Sequence, residues 1–361
     1  MTMPVDRRRF LAYAGAALAA PQLSACEGVD RVPVPGIPPS GFDATSTAEE
    51  VTEGIDLSGK LAVVTGASSG LGFETMRVLA KRGAYVIGTS RSLERAEAAC
   101  RKVAGLTTPV ALDLGNFESV VACANTIRSM NTPIDILVCN AGFYGGSGER
   151  QLINGVEKHF AINHLGHFIL VNRLLERLFL AWQGRIVVLS SRAAYKRAPE
   201  AGILFDDLAM NRDYDDFAAY GHSKLANALF SLHLAKLLRG TRITTNALHP
   251  GVIDTDIDRH MNAMLRFGFR ILASVSGKNV EEGAATTCYV ATAEALGNVS
   301  GRYFEDCNAI TIEGRGHMQD EAMAERLMQV SEELTKDYLV EQRRPDGSEF
   351  KNGIRGSEGD A

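Results

Sequence analysis

Short apolar clusters recur along this chain, each followed by a stretch whose apolar positions repeat every three or four residues. Leu61 to Val64, Ala84 to Thr89, Pro109 to Leu112, Ile134 to Cys139, Arg185 to Leu189, Thr244 to Leu248 and Gly301 to Phe304 have the length and apolar content of buried strands. Between them, Phe73 to Arg82, Leu93 to Val103, Phe117 to Met130, Ile153 to Trp182, Phe217 to Leu238 and Val280 to Ala293 read as helices. Strand and helix alternate, so each strand lies parallel to its neighbours through right-handed crossovers. The pattern predicts an α/β fold with one doubly wound parallel sheet of seven strands. No internal repeat or second core is visible, and residues 55–340 are read as one domain.

The turn between the first strand and first helix, Val63-Val64-Thr65-Gly66-Ala67-Ser68-Ser69-Gly70-Leu71-Gly72, has the composition of a phosphate cradle. Glycines admit a close backbone approach, and the helix start presents free N–H groups to negative charge. In such a sheet ligands bind at the carboxyl ends of the strands. There the fourth strand ends in Asn140-Ala141-Gly142 and the fifth in Ser190-Ser191, while Tyr220 and Lys224 sit at i and i+4 on the following helix. A phenol near pKa 10 needs roughly 4 kcal/mol of differential stabilisation to titrate three units lower. A lysine one turn along is one source of it.

With these motifs in order, the chain resembles the short-chain dehydrogenase/reductase family over about residues 55 to 310. It has the TGxxxGxG turn (Thr65, Gly66, Gly70, Gly72), the NAG motif, a serine, YxxxK and Pro250-Gly251. The resemblance implies a Rossmann-type fold and a catalytic tetrad of Asn163, Ser191, Tyr220 and Lys224. Tyr220 would exchange the hydroxyl proton, Ser191 bind the substrate oxygen, Lys224 lower the tyrosine pKa and hold the nicotinamide ribose, and Asn163 hold a water. It assigns cofactor contacts to Thr65, Gly66, Ser68, Ser69, Gly70, Leu71, Gly72, Ser90, Arg91, Asp113, Leu114, Asn140, Ala141, Gly142, Tyr220, Lys224, Pro250 and Gly251. Ser90-Arg91 stands where NAD-specific relatives place an acid; a guanidinium can bind a 2′-phosphate, so NADP(H) is expected over NAD(H).

Within the family, residues 161–168 and 220–230, and the lead-in Ser46 to Lys60, are most similar to the retinol dehydrogenase and WW-domain oxidoreductase branch. The branch implies an extra loop between Ser191 and Tyr220. Family placement implies a lid at Ile257 to Val275, whose apolar content suits a lipophilic substrate; a dimer contact, a membrane-facing patch or plain core would give the same composition. The expected function is interconversion of an alcohol and its carbonyl, a small-molecule substrate, by hydride transfer. Alternatives are a non-catalytic NADP-binding sensor or scaffold, or an epimerase or dehydratase-type relative. A homo-oligomer is possible within either reading. His164, His167 and His222 are taken as surface or packing residues, and Cys139 as packing.

Composition changes this picture only at the ends. A net charge of -5 without a sustained basic run past the N-terminus argues against nucleic acid as a partner. The first 26 residues read as an export signal: Arg7-Arg8-Arg9-Phe10-Leu11 resembles a twin-arginine motif, an apolar run follows, and Leu23-Ser24-Ala25-Cys26 resembles a lipoprotein cleavage site. The run is too short to span a bilayer. Lipid on Cys26 would anchor an exported protein in the periplasm or at a membrane, the alternative being a cytoplasmic enzyme with an N-terminal extension. Residues 27–54, with Pro33, Pro35, Pro38 and Pro39, are expected to be a linker and lead-in, semi-rigid over Val32 to Ser40, and residues 341–361 a polar tail. The six cysteines include no CxxC pair, so no metal site is expected, and the five beyond Cys26 read as buried thiols.

Overall fold

The computed structural model describes residues 30–145, 148–251, 277–314 and 316–341. All seven expected strands are present with ends within two residues of expectation: β2 Leu61–Val64, β3 Tyr85–Ser90, β4 Thr107–Ala111, β5 Ile136–Cys139, β8 Gly184–Leu189, β9 Ile243–His249 and β10 Tyr303–Glu305. They pair in parallel, β4-β3-β2 to one side and β5-β8-β9-β10 to the other. The winding reverses between β2 and β5, which opens a crevice above their carboxyl ends.

Side chains alternate along each strand and divide the interior in two. In β2, Leu61 and Val63 face a core completed by α3 (Phe117–Ser129), α4 (Gly166–Phe179), α6 (Asp216–Leu237) and α8 (Glu321–Thr335). Ala62 and Val64 face the other, under α1 (Gly70–Lys81), α2 (Leu93–Cys100) and α7 (Val280–Thr292). Asn116, Asp215 and Asp320 cap α3, α6 and α8 through their side chains, and Asn279 and Glu282 form a reciprocal capping box on α7.

Three expectations are corrected. First, the proline-rich stretch is not a detached spacer. Asp30–Pro33 forms β1, antiparallel to β11 (Asn308–Glu313), which is antiparallel to β10, so the sheet has nine strands. Asn308 accepts from the Ser40 N–H at 3.0 Å and donates to the Phe42 carbonyl at 2.9 Å, while Val34, Ala48, Val51 and Leu57 enter the second core. Strand pairing, the Asn308 hydrogen bonds and a few scattered apolar residues together dock the segment. Second, the helix expected from Ile153 to Trp182 begins later. Leu152–Ile153 (β6) and Val156–Glu157 (β7) form a hairpin whose Asn154 and Gly155 both take positive φ, the Asn-Gly turn that strand twist favours. Third, α8 was not foreseen; Ala324, Leu327, Met328 and Ser331 form the buried stripe that packs it on α6. Arg7, Arg8, Arg9 and Cys26, the expected lid and the tail beyond residue 341 lie outside the described residues.

Candidate active site

The crevice is a cleft of about 540 Å³. One wall is the glycine turn after β2. Gly66 has φ +70°, and a methyl on Gly72 would run into the Asn140 amide nitrogen and the Gly66 carbonyl oxygen. The turn therefore closes only with glycine at both positions. Ser69, at the N-cap of α1, makes no side-chain cap, so the first-turn N–H groups of α1 face the cleft for a ligand.

Thr65 was expected to touch cofactor; it lies fully buried beneath the turn instead. Its Oγ1 accepts from the Ala141 N–H at 2.9 Å and lies 3.0 Å from His167 Nε2, whose Nδ1 is 3.0 Å from the Asn163 carbonyl. With Nδ1–H donating to that carbonyl, Nε2 is left as an acceptor facing the threonine hydroxyl, which also has the Val138 carbonyl within 3.3 Å. Burial holds His167 neutral, with its pKa pushed down to about 4. His164 and His222 are also buried, so all three histidines are packing residues and none is at the surface. Asn140 Nδ2 donates to the Thr65 carbonyl at 2.8 Å, so the glycine turn and the Asn-Ala-Gly turn are one hydrogen-bonded unit.

Asn163 lies in a wide π-turn, Ala161–Leu165, ahead of α4. Its Oδ1 accepts from the Phe143 N–H at 2.6 Å, and its Nδ2 donates to the Phe143 carbonyl at 3.0 Å and to Ser223 Oγ at 2.9 Å. The amide fixes the loop after β5 against α6. A methyl on Gly142 would lie 3.4 Å from Lys224 Nζ and 3.6 Å from Asn163 Oδ1, so these groups converge beside that glycine.

Of the two serines after β8, Ser190 spends its hydroxyl on the Lys224 carbonyl at 2.7 Å, whereas Ser191 hydrogen-bonds Tyr220. Tyr220 stands edge-on to Tyr144, ring centres 4.9 Å apart. Burial pushes its phenol up to about 12, and the Ser191 hydrogen bond pulls the other way. Lys224 Nζ donates to the Leu189 carbonyl at 3.1 Å and lies 5.6 Å from the Tyr220 ring centre; burial lowers its pKa to about 8.

Gly66, Ser68, Ser69, Gly70, Leu71, Gly72, Ser90, Arg91, Asp113, Leu114, Asn140, Ala141, Gly142, Tyr220, Lys224 and Pro250 all line the cleft. Gly251 does not; it has φ +107° and abuts Lys278. Ser90 Oγ donates to Ser68 Oγ at 3.1 Å, and one Asp113 carboxylate oxygen accepts from the Gly115 N–H at 3.0 Å. Arg95 joins the exposed Arg91 at the mouth, four residues on, a spacing that was readable in sequence. Tyr144 was missed. So was the buried Glu157–His159 pair, with Oε1 2.8 Å from Nδ1, whose Nε2 accepts from the Gly145 N–H at 3.1 Å; nothing in sequence separates that pair from surface residues.

A sheet reversing at a glycine-lined crevice, with a tyrosine and lysine one helical turn apart on its floor, defines a nucleotide-dependent oxidoreductase architecture. Residues 60–203 match the family model described as short chain dehydrogenase. Short-chain dehydrogenase TIC 32 A, chloroplastic, of Brassica napus is 39% identical over 287 residues, 75% of this chain and 88% of that protein. Human retinol dehydrogenase 12 is 38% identical over 285 residues, 78% and 87% of the two chains. Among solved structures, an uncharacterized protein from Mycobacterium paratuberculosis superposes with a TM-score of 0.62 at 32% identity, over 81% of this chain and 98% of that one. The chain belongs to the short-chain dehydrogenase family and is an oxidoreductase with a Rossmann-like, mostly parallel sheet.

Proposed function

We propose that this protein is an NADP(H)-dependent oxidoreductase that interconverts a lipophilic alcohol and its carbonyl. The observation that carries the reading is that Tyr220 and Lys224 lie together on the floor of a cleft whose far wall is the uncapped start of α1, with Ser191 hydrogen-bonded to Tyr220 behind them. The uncapped N–H groups and the glycine turn suit a pyrophosphate, and a bound nicotinamide supplies or accepts the hydride. Arg91 and Arg95 at the mouth, with Ser90 in place of an acid, favour the 2′-phosphate.

Tyr220 is the acid and base. With its pKa at about 12 it is a neutral phenol at pH 7, the form that donates a proton to a carbonyl oxygen. Lowering that pKa from about 12 to about 7, so that the phenolate can act as base, takes roughly 7 kcal/mol of differential stabilisation, more than an unburied phenol requires. The Lys224 charge and the Ser191 hydrogen bond both act in that direction. Ser191, free of the helix carbonyl that occupies Ser190, is the serine assigned to the substrate oxygen. Phe143, Tyr144 and Ile153 give the mouth an apolar lining. Together with relatives named for retinol, this supports a lipophilic substrate.

Tyr220→Phe should reduce turnover at least about a hundredfold and leave NADPH binding, followed by nucleotide fluorescence, near wild type. Ordinary turnover in that variant would refute the assignment. The Arg7-Arg8 motif, the apolar run and the Cys26 box support export by the twin-arginine route with a lipid anchor. Fractionation of cells carrying Arg7→Lys with Arg8→Lys tests it: the enzyme should stay in the cytoplasm, and unchanged distribution would refute export by that route.

A further inference from the structure

The end of the domain opposite the cleft carries an unusual surface. Trp182, 76% exposed, and Leu180, 53% exposed, project where α4 gives way to β8. Arg242 and Arg302 immediately precede β9 and β10, and Arg239 follows α6. All three arginines are exposed, and none has a carboxylate partner among the described residues. Arg242 stacks its guanidinium 4.7 Å from the Trp182 ring centre. Lys236 lies 3.9 Å from Glu321 and 3.5 Å from Glu325, so this group carries one net negative charge against the three arginines. On a chain of net charge -5 this is a local cationic surface with an exposed indole at its rim.

The same end is where the N-terminus leaves the domain. β1 is antiparallel to β11 and β11 to β10, so β1 runs parallel to β10 and begins at the end where Arg242 and Arg302 lie. Cys26 precedes Asp30 by four residues, a reach of at most about 14 Å.

We propose that this end is a docking surface for an anionic phospholipid bilayer. Indole and leucine side chains enter the interfacial region while guanidinium groups meet lipid phosphates. Attraction between these guanidinium groups and lipid phosphates would add an electrostatic contribution beside any lipid on Cys26. The surface stands on its own residues and does not require the anchor. It turns the cleft, at the opposite ends of the strands, away from the membrane.

Trp182 is the sole tryptophan of the chain, so its fluorescence reports on this surface alone. The full-length protein is titrated with vesicles of phosphatidylglycerol in phosphatidylcholine. The expected result is a blue shift, quenching by lipids brominated on the acyl chains, and reversal by salt. Combined Arg239→Gln, Arg242→Gln and Arg302→Gln should raise the lipid concentration needed roughly a hundredfold, about fivefold per arginine, with NADPH binding unchanged. Cys26→Ser should keep the response. The proposal is overturned if Trp182 emission stays constant while the protein sediments with vesicles, if phosphatidylcholine alone gives the same shift, if the triple variant binds like wild type, or if Cys26→Ser abolishes the response.

Discussion

Lys224 should cost the protein stability, and the size of that cost follows from its surroundings. The side chain is 4% exposed and its pKa falls from 10.5 to about 8 because burial disfavours the charge. The unfolded chain therefore binds more protons between pH 8 and 10.5. Folding opposes protonation by about 3 kcal/mol below pH 8, and this penalty disappears as pH rises to 10.5. Lys224→Met removes the charge and keeps the length of the side chain. It gives up one hydrogen bond, worth about 1 kcal/mol, but the Leu189 carbonyl keeps the Asn227 Nδ2 donor at 3.0 Å. The net expectation at pH 7, without cofactor, is a gain of about 2 kcal/mol, or about 4 °C in Tm, together with loss of turnover. Thermal unfolding of both chains from pH 6.5 to 10.5 reads the difference directly, since other titrations are common to both. A variant less stable than wild type at pH 7, or a difference that stays constant across that range, would refute the reasoning.

Other consequences are more local. Gly72→Ala should destabilise by about 1 to 3 kcal/mol and abolish NADPH binding, because the new methyl meets the Gly66 backbone and the hydrogen-bonded Asn140 amide; calorimetry showing wild-type affinity would contradict this. Arg91→Ala should weaken NADPH about 10- to 100-fold and leave NADH almost unchanged, the range of a lost charge-assisted contact. Tighter NADH than NADPH binding by the wild type would overturn the cofactor assignment. Asn308→Ala removes the bonds to Ser40 and Phe42, so limited proteolysis should cut residues 30–45 sooner, with nucleotide affinity kept.

The parallel strands were legible because a strand buried on both faces is an unbroken apolar run, and the seven parallel strands differ from expectation only at their ends. The cleft was legible for a related reason: its groups lie where consecutive strands stop, so chain order already groups Gly66, Asn140, Ser191 and Tyr220. What sequence hid was tertiary. Val34 looks incidental among prolines and Val51 among acidic and polar residues, yet both dock the lead-in. The Asn154-Gly155 signal was visible but was absorbed into a long helical pattern. The burial of His164, His167 and His222 depends on what packs around α4 and α6, not on their immediate neighbours.

The edge strand β1 bears on the order of assembly. Ser40 is held by a residue 268 positions later, so the segment has no partner until β11 has been made. At about 5 to 20 residues per second, synthesis of that interval takes roughly 15 to 50 seconds. Among the described strands β1 is thus one of the last to dock, and until it does the β11 edge stays open to pairing with another chain.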